Sequence, residues 1–329
     1  MSERPILIAE CCQNHNGSRE VLKRMIHEAT AAGADYVKIQ AIRSRELTIR
    51  ERFETGAVDD DGTVRVIKRP YAPEYERLEK LDLTLDDEGW FVEECWRAGV
   101  APMTTVFTRS GAREVSALGW EAVKIASYDC RSYPLLREVR DWCRRLFVST
   151  GATFDEEIER AAEVLSGAEV TFLHCVTLYP TPLPQLHLRR MSFLRRFAPR
   201  VGYSDHSKPA TDGLWPSSIA LALGADCVER HFTVLPAGET KDGPVSIGPS
   251  DLAALRAFAD RPRPERMEIV AREFPGWEAA LGQATRALSH EELLNRDYYC
   301  GRFAAKFEGR EVFNWQDEAL DQEHAAPRP

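Results

Sequence analysis

The sequence predicts an α/β fold, a (β/α)8 TIM barrel with a short C-terminal extension. Short β-rich apolar runs alternate with segments of helical period from the first residues onward, and the alternation repeats eight times over roughly 260 residues, the count and length of that barrel. Strict alternation of this kind demands parallel strands joined by right-handed crossovers. A doubly wound open sheet would usually begin with a glycine-rich phosphate turn, whereas the turn after the first strand reads "CCQNHNGS".

The elements follow in order. "ILIAEC" (6–11) precedes "SREVLKRMIHEATAAGA", where Val21, Met25, Ile26 and Ala29 recur at helical spacing. "YVKIQAI" (36–42) is the second strand, followed after a long insert by a helix from about Leu85 to Ala98. Then come "APMTTVF" (101–107) with a helix near 110–118, "AVKIAS" (122–127) with one near 133–143, and "RLFVST" (145–150) leading into "FDEEIERAAEVLSG". "EVTFLHCV" (169–176) precedes a helix near 187–197, "RVGYSD" (200–205) one near 211–223, and "CVERHF" (227–232) one near 250–260. The barrel thus occupies residues 1–260 and the extension 261–329, ending in the polar "QDEALDQEHAAPRP", where fraying is expected. Residues 43–82 form a βα connection of a length seldom seen unless it covers a site.

Composition narrows the function. A net charge of −9 argues against a general nucleic-acid binder, which needs a basic face, but leaves room for a local cationic pocket. The eight cysteines lack any C-x-x-C spacing, and several sit inside apolar runs as small hydrophobes, so a reducing compartment is expected. "MSERPILIAECC" lacks a signal peptide's cationic start, and no run is long enough to span a bilayer. A cytoplasmic protein with no membrane partner is the expectation.

In such a barrel the active site gathers at the C-terminal ends of the strands. Those ends carry Glu10, then Lys38 with Gln40, Thr104 with Thr105, Lys124 with Ser127, Ser149 with Thr150, His174 with Thr177 and Tyr179, Ser204 with Asp205 and His206, and Glu229 with Arg230 and His231. Taken singly, each fits an ordinary role: a strand lysine snorkels, and a lone histidine satisfies a structural hydrogen bond. Cys11–Cys12 and Tyr298–Tyr299 read as packing. Convergence changes the reading, because two lysines, several hydroxyls and a "STG" turn aimed at one mouth make an anion site. His206 and His231, on neighbouring strands, could share one divalent cation and leave coordination positions open for chemistry. Glu10 supplies a carboxylate for acid–base work or for the cation's outer shell.

Eight blocks, "AECCQNHNGS", "ADYVKIQ", "EYERLEKLDLT", "AVKIASYD", "STGA", "HCVTLYPTP", "VGYSDHS" and "VERHFT", resemble in order the signature blocks of the sialic acid synthase family. These enzymes condense phosphoenolpyruvate with an N-acetylated amino sugar to make nonulosonic acids. The resemblance implies that Lys38, Lys124, Thr105, Ser127, Ser149 and Ser204 hold phosphoenolpyruvate. It implies that His206 and His231 bind Mn2+ or Mg2+, that Glu10 orients water or acceptor, and that Gln40 and Tyr179 line the pocket for a sugar aldehyde. A homodimer is also implied.

The chain departs from the family pattern at three places. Thr177, a candidate acceptor-pocket residue, stands where asparagine usually makes a phosphate-side contact, and Val245 replaces an acid that contacts acceptor hydroxyls, with Asp242 nearby. The tail is not a full antifreeze-like domain, the part that normally supplies an arginine to the neighbouring subunit, so Arg296 or Arg302 is a candidate substitute. Two of these changes fall on the acceptor side, which leaves the acceptor's identity open. Three rivals remain: a 3-deoxy-ulosonate-phosphate synthase using the basic residues of the long loop, a metal-dependent sugar isomerase or epimerase, and a non-catalytic sugar-binding paralogue.

Overall fold

The computed structural model describes residues 4–317. Eight parallel strands close into a barrel: β1 (Ile6–Cys12), β2 (Tyr36–Ala41), β3 (Ala101–Val106), β4 (Ala122–Ile125), β5 (Arg145–Ser149), β6 (Glu169–His174), β7 (Arg200–Asp205) and β8 (Cys227–His231). Each strand pairs with its neighbours in sequence, and β1 closes the ring on β8 with Ile6 opposite Cys227 and Glu10 opposite His231. The helices that follow the strands are α1 (Arg19–Ala31), α2 (Leu85–Ala98), α3 (Arg109–Val115), α4 (Tyr133–Trp142), α5 (Asp155–Val164), α6 (Arg190–Leu194), α7 (Trp215–Leu223) and α8 (Pro249–Ala259). The strands match the expected runs to within two residues. The helix expected near 187–197 is the poorest match, since only five residues are α-helical.

Local chemistry explains the element ends. Ser18 caps α1 by accepting from Val21 N at 3.3 Å, and Thr84 with Asp87 forms a capping box at α2. Gly99 and Gly224 end α2 and α7 in the left-handed conformation that L side chains avoid. The outer faces of the strands pack Leu7, Val37, Ile125, Val148 and Val201 under the helices in one continuous core.

Two segments outside the repeat meet over the barrel mouth. The connection after β2 contains a short hairpin (Ala57–Val58 with Val64–Val66) and a helix, Tyr71–Glu79. After α8 come α9 (Arg263–Glu273), which packs on α7, and α10 (His290–Tyr299), then a second hairpin (Ala305–Phe307 with Arg310–Val312). Leu47 and Phe303 pair as an antiparallel bridge, flanked by Thr48 N donating to Arg302 O and Ala304 N donating to Glu46 O, both at 3.0 Å. Phe53 meets Tyr298 edge-on at 5.2 Å. On the barrel side, Asn295 Nδ2 donates to Thr177 O at 2.8 Å, and Arg296 pairs with Glu157 at 2.6 Å. The expected frayed end, residues 316–329, lies almost wholly outside the described residues.

Inside the barrel, the room left for one residue is set by its neighbours. A Cβ on Gly202 would stand 2.5 Å from both Cys227 O and Leu173 Cδ2. Gly202→Ala is therefore expected to destabilise the fold by about 1–3 kcal/mol through overpacking. Chemical denaturation of the two proteins measures it, and an unchanged midpoint would show that β7 and β8 yield without cost.

Candidate active site

Side chains alternate along a strand, so interior positions recur every second residue. Ile8, Tyr36, Met103, Ala122, Phe147, Leu173 and Cys227 form a buried apolar plug inside the barrel. Two residues further along each strand stand Glu10, Lys38, Thr105, Lys124, Ser149, Cys175 and Glu229, and Ser204 follows Gly202 in the same way. The polar set forms the floor of a cavity of about 430 Å³ at the mouth. One period fixes both the plug and the site.

Charge on the floor is balanced by two buried carboxylates. Lys38 is ion-paired with Glu10, lies 3.1 Å from Glu229 Oε2 and donates to Thr105 Oγ1 at 3.0 Å. Lys124 donates to Glu229 Oε1 at 2.9 Å, and Ser204 Oγ donates to the same oxygen at 2.6 Å. Burial opposes the charge on Lys38, but Glu10 and Glu229 outweigh it and raise its pKa. Burial, helped by the charge of Lys38, prevails at Lys124 and lowers its pKa against the pull of Glu229. Burial pushes Glu229 up, yet Lys124 and Lys38 hold it well below the usual carboxylate range. Ser127, beside this floor, accepts from Gly151 N at 3.2 Å and contacts Cys175 Sγ at 2.9 Å.

The two histidines have different surroundings. Their ring centroids are 5.6 Å apart. His206 Nδ1 lies 3.0 Å from Val176 O and its Nε2 3.0 Å from Tyr179 Oη, with the two rings stacked at 4.1 Å. Burial and the neighbouring His231 push the His206 pKa down to about 3, so the ring is neutral at working pH. His231 is buried and its Nδ1 has no hydrogen-bond partner among the described residues. Ligand atoms of Cys12, His231 and Asp242 lie within 4.8 Å of one another. Asp205 points away from the mouth, pairing with Arg230 at 2.6 Å and accepting from Ser207 N at 2.8 Å, so it braces the end of β7.

The two capping segments, with Lys241 of the loop between β8 and α8, make the rim cationic. Arg69, Arg77, Lys241 and Arg302 line the cavity with Tyr128, Tyr299 and Asn295. Glu74 takes Arg77 at 2.9 Å and Arg302, and lies 4.0 Å from Lys241. Burial raises the Glu74 pKa, but Arg77, Arg302 and Lys241 together bring it down to about 2. Arg69 lies over the Tyr298 and Tyr299 rings.

Of the residues expected at the site, Glu10, Lys38, Gln40, Thr105, Lys124, Ser127, Ser149, Tyr179, Ser204, His206, His231 and Asp242 all line this cavity. Thr177 is buried beside it, and its carbonyl anchors α10. Arg302 reaches the rim, whereas Arg296 is spent on Glu157 and Ala152 O. Glu229, which the strand pattern puts at the mouth without a role, is the hub of the floor. Cys12 and Tyr299, which read as packing in the sequence, line the cavity. The signal for Cys12 and Glu229 is the two-residue period, which puts Cys12 on the face of Glu10 and Glu229 on that of His231. Arg69 belongs to the basic set of the long connection, whereas no signal marks Arg77, on the helix Tyr71–Glu79, or Lys241, in the loop after β8.

A parallel eight-stranded barrel with this ring of lysines, hydroxyls and carboxylates at its C-terminal mouth has the architecture of a barrel enzyme. Residues 25–261 match the family model described as the NeuB family. The chain belongs to the NeuB family and is a transferase of the synthase type. It is 29% identical over 265 residues to N,N'-diacetyllegionaminic acid synthase of Campylobacter jejuni, covering 77% of this chain and 75% of that protein. It is 32% identical over 255 residues to N-acetylneuraminate-9-phosphate synthase of Drosophila melanogaster, covering 76% of this chain and 65% of that one. The crystal structure of N-acetylneuraminic acid (sialic acid) synthetase from Leptospira borgpetersenii in complex with citrate superposes with a TM-score of 0.66 at 25% identity, over 90% of this chain and 92% of that one.

Glu229→Gln would leave Lys124 buried without its carboxylate partner. It is expected to lower stability by about 3 kcal/mol, the cost of breaking a buried pair. Inorganic phosphate should then raise the melting temperature of the variant more than that of the parent. Equal shifts in both would show that the floor does not exchange a carboxylate for a bound anion.

Proposed function

We propose that the chain condenses phosphoenolpyruvate with the open-chain aldehyde of a sugar, giving a nonulosonic acid or a related 2-keto-3-deoxy sugar acid. The observation that carries this reading is the pair of buried lysines, Lys38 and Lys124, held on one floor with Thr105, Ser149 and Ser204. Such a floor suits a small dense anion: ammonium groups give charge and hydroxyls give direction. Lys38, Lys124, Thr105, Ser127, Ser149 and Ser204 hold phosphoenolpyruvate, while Gln40, Tyr179 and Asp242 face the acceptor beside Thr177. The C3 carbon of the enol forms a bond to the aldehyde carbon, the aldehyde oxygen takes a proton, water adds to C2, and the C2–O bond breaks as phosphate leaves. Glu10, paired with Lys38, is the carboxylate available for proton transfer. A divalent cation held by His206 and His231 would polarise the aldehyde oxygen as a Lewis acid. The floor binds phosphate in ground and transition states alike, so its catalytic share lies in alignment.

A specific observation favours a phosphorylated acceptor as a second reading. Arg69, Arg77, Lys241 and Arg302 stand at the rim against Glu74 and Asp242, and the relative from Drosophila melanogaster is named for a 9-phosphate product. All eight cysteines are free thiols, which supports a cytoplasmic site of action. Among the described residues no helix is long and apolar enough to cross a membrane. A homodimer is carried over from the family resemblance.

Phosphate release from phosphoenolpyruvate across a panel of aldoses, free and terminally phosphorylated, tests the reading. Release should depend on an acceptor, and Lys124→Ala should raise the phosphoenolpyruvate KM at least about tenfold, as loss of a charged contact does. No release with any aldose, while phosphoenolpyruvate still binds, would sink it. Arg302→Ala should raise KM for a phosphorylated acceptor about tenfold or more and leave that for a neutral one nearly unchanged. Equal effects on both would remove the phosphorylated reading.

A further inference from the structure

We propose that Cys12, His231 and Asp242 form a thiolate-bearing metal site. It takes a divalent cation of the zinc, cobalt(II) or iron(II) class in preference to manganese or magnesium. The inference deepens the proposed function and rests on its metal step. Cys12 ends β1, His231 ends β8, and Asp242 lies in the loop that follows, so barrel closure brings the three together. One ligand atom from each lies within 4.8 Å of the others, and Cys12 Sγ is 2.9 Å from Asp242 Oδ2.

Three further observations point to a ligand rather than to packing. His231 is 7% exposed, and its Nδ1 is buried without a partner, a condition buried polar atoms seldom tolerate. Cys12 adopts φ 48°, a left-handed conformation uncommon for a non-glycine residue, and the strand register shifts between Glu10 and Cys12. Its backbone N–H donates to Glu10 Oε1 at 2.6 Å, which fixes the turn. Cys11, one residue earlier, packs in the apolar core, whereas Cys12 faces the cavity. The chain keeps a strained cysteine where glycine would relax the backbone.

The ligand chemistry sets the class of metal. Thiolate and imidazole favour zinc and its borderline neighbours, while oxygen donors suit magnesium and manganese. Three protein ligands leave positions open for a substrate oxygen, the catalytic arrangement. Binding breaks the S–H bond of Cys12, forms the sulfur–metal bond and sends the proton to solvent. His206 is oriented by Val176 O, 3.0 Å from its Nδ1, which leaves Nε2, 3.0 Å from Tyr179 Oη, as a further nitrogen donor that a cation would take over from the hydroxyl.

The test uses the full chain, stripped with chelator and titrated with cobalt(II) alone. A near-ultraviolet thiolate-to-cobalt band is expected in the parent and in Cys11→Ser, and it should be lost in Cys12→Gly, a variant whose backbone suits φ 48°. Zinc affinity should fall about 10- to 100-fold in Cys12→Gly, the scale on which site residues tune metal binding, while manganese affinity changes much less. Cobalt(II) bound without the band, or zinc affinity unaffected by Cys12→Gly, overturns the thiolate site alone. If no divalent metal binds and phosphate release survives chelator, the metal step of the proposed function falls as well.

Discussion

The carboxylate of Glu229 is the constraint on which the site depends. One of its oxygens takes both Lys124 and Ser204, and Lys38 stands against the other. Two ammonium groups sunk in a barrel would repel each other and resist burial; set around Glu229 and Glu10 they become a rigid and nearly neutral floor. The strand pattern follows from this. Each strand must deliver an apolar residue to the plug and a polar one two positions later, and a slip of one residue would turn the lysines out under the helices. The charged floor and the barrel packing are therefore specified by the same alternation.

Much of this is legible in the sequence, and the reason is the short period of a β-strand. Lys38 and Gln40, or Ser204 before His206, sit on known faces once the strand is recognised, so the barrel and most of its floor can be read without coordinates. Glu229 and Cys12 obey the same rule, yet residue type alone gives neither a role. A glutamate at a strand end passes for a solvated charge, and a vicinal cysteine pair passes for two small hydrophobes. The rim is legible only in part: the basic residues of the long connection and Arg302 stand out by type, but their meeting at the mouth does not. Arg69, Arg77 and Lys241 lie on connections, and Arg302 follows the last long helix. No strand period gives such residues a direction; the bridge between Leu47 and Phe303 and the contacts around it join the two segments that carry Arg69, Arg77 and Arg302.

His206 and His231 show how far residue type and strand end carry. Both rings are at the mouth, as their positions require. Their neighbours differ, however: Val176 O and Tyr179 Oη claim His206, while His231 keeps a buried nitrogen without a partner among the described residues. Hydrogen-bond accounting distinguishes two histidines that spacing treats as equivalent.

The floor belongs to the barrel, and most of the rim belongs to the insertion after β2 and to the segment beyond α8. These two stretches are stitched to each other and lie outside the eight-fold repeat. Inheritance can act on them separately. Changes in the insertion and tail would redraw the entrance and leave untouched the strands that carry the floor. A lineage could thereby alter what the entrance admits by editing two surface segments, without reopening the packing that makes the barrel fold.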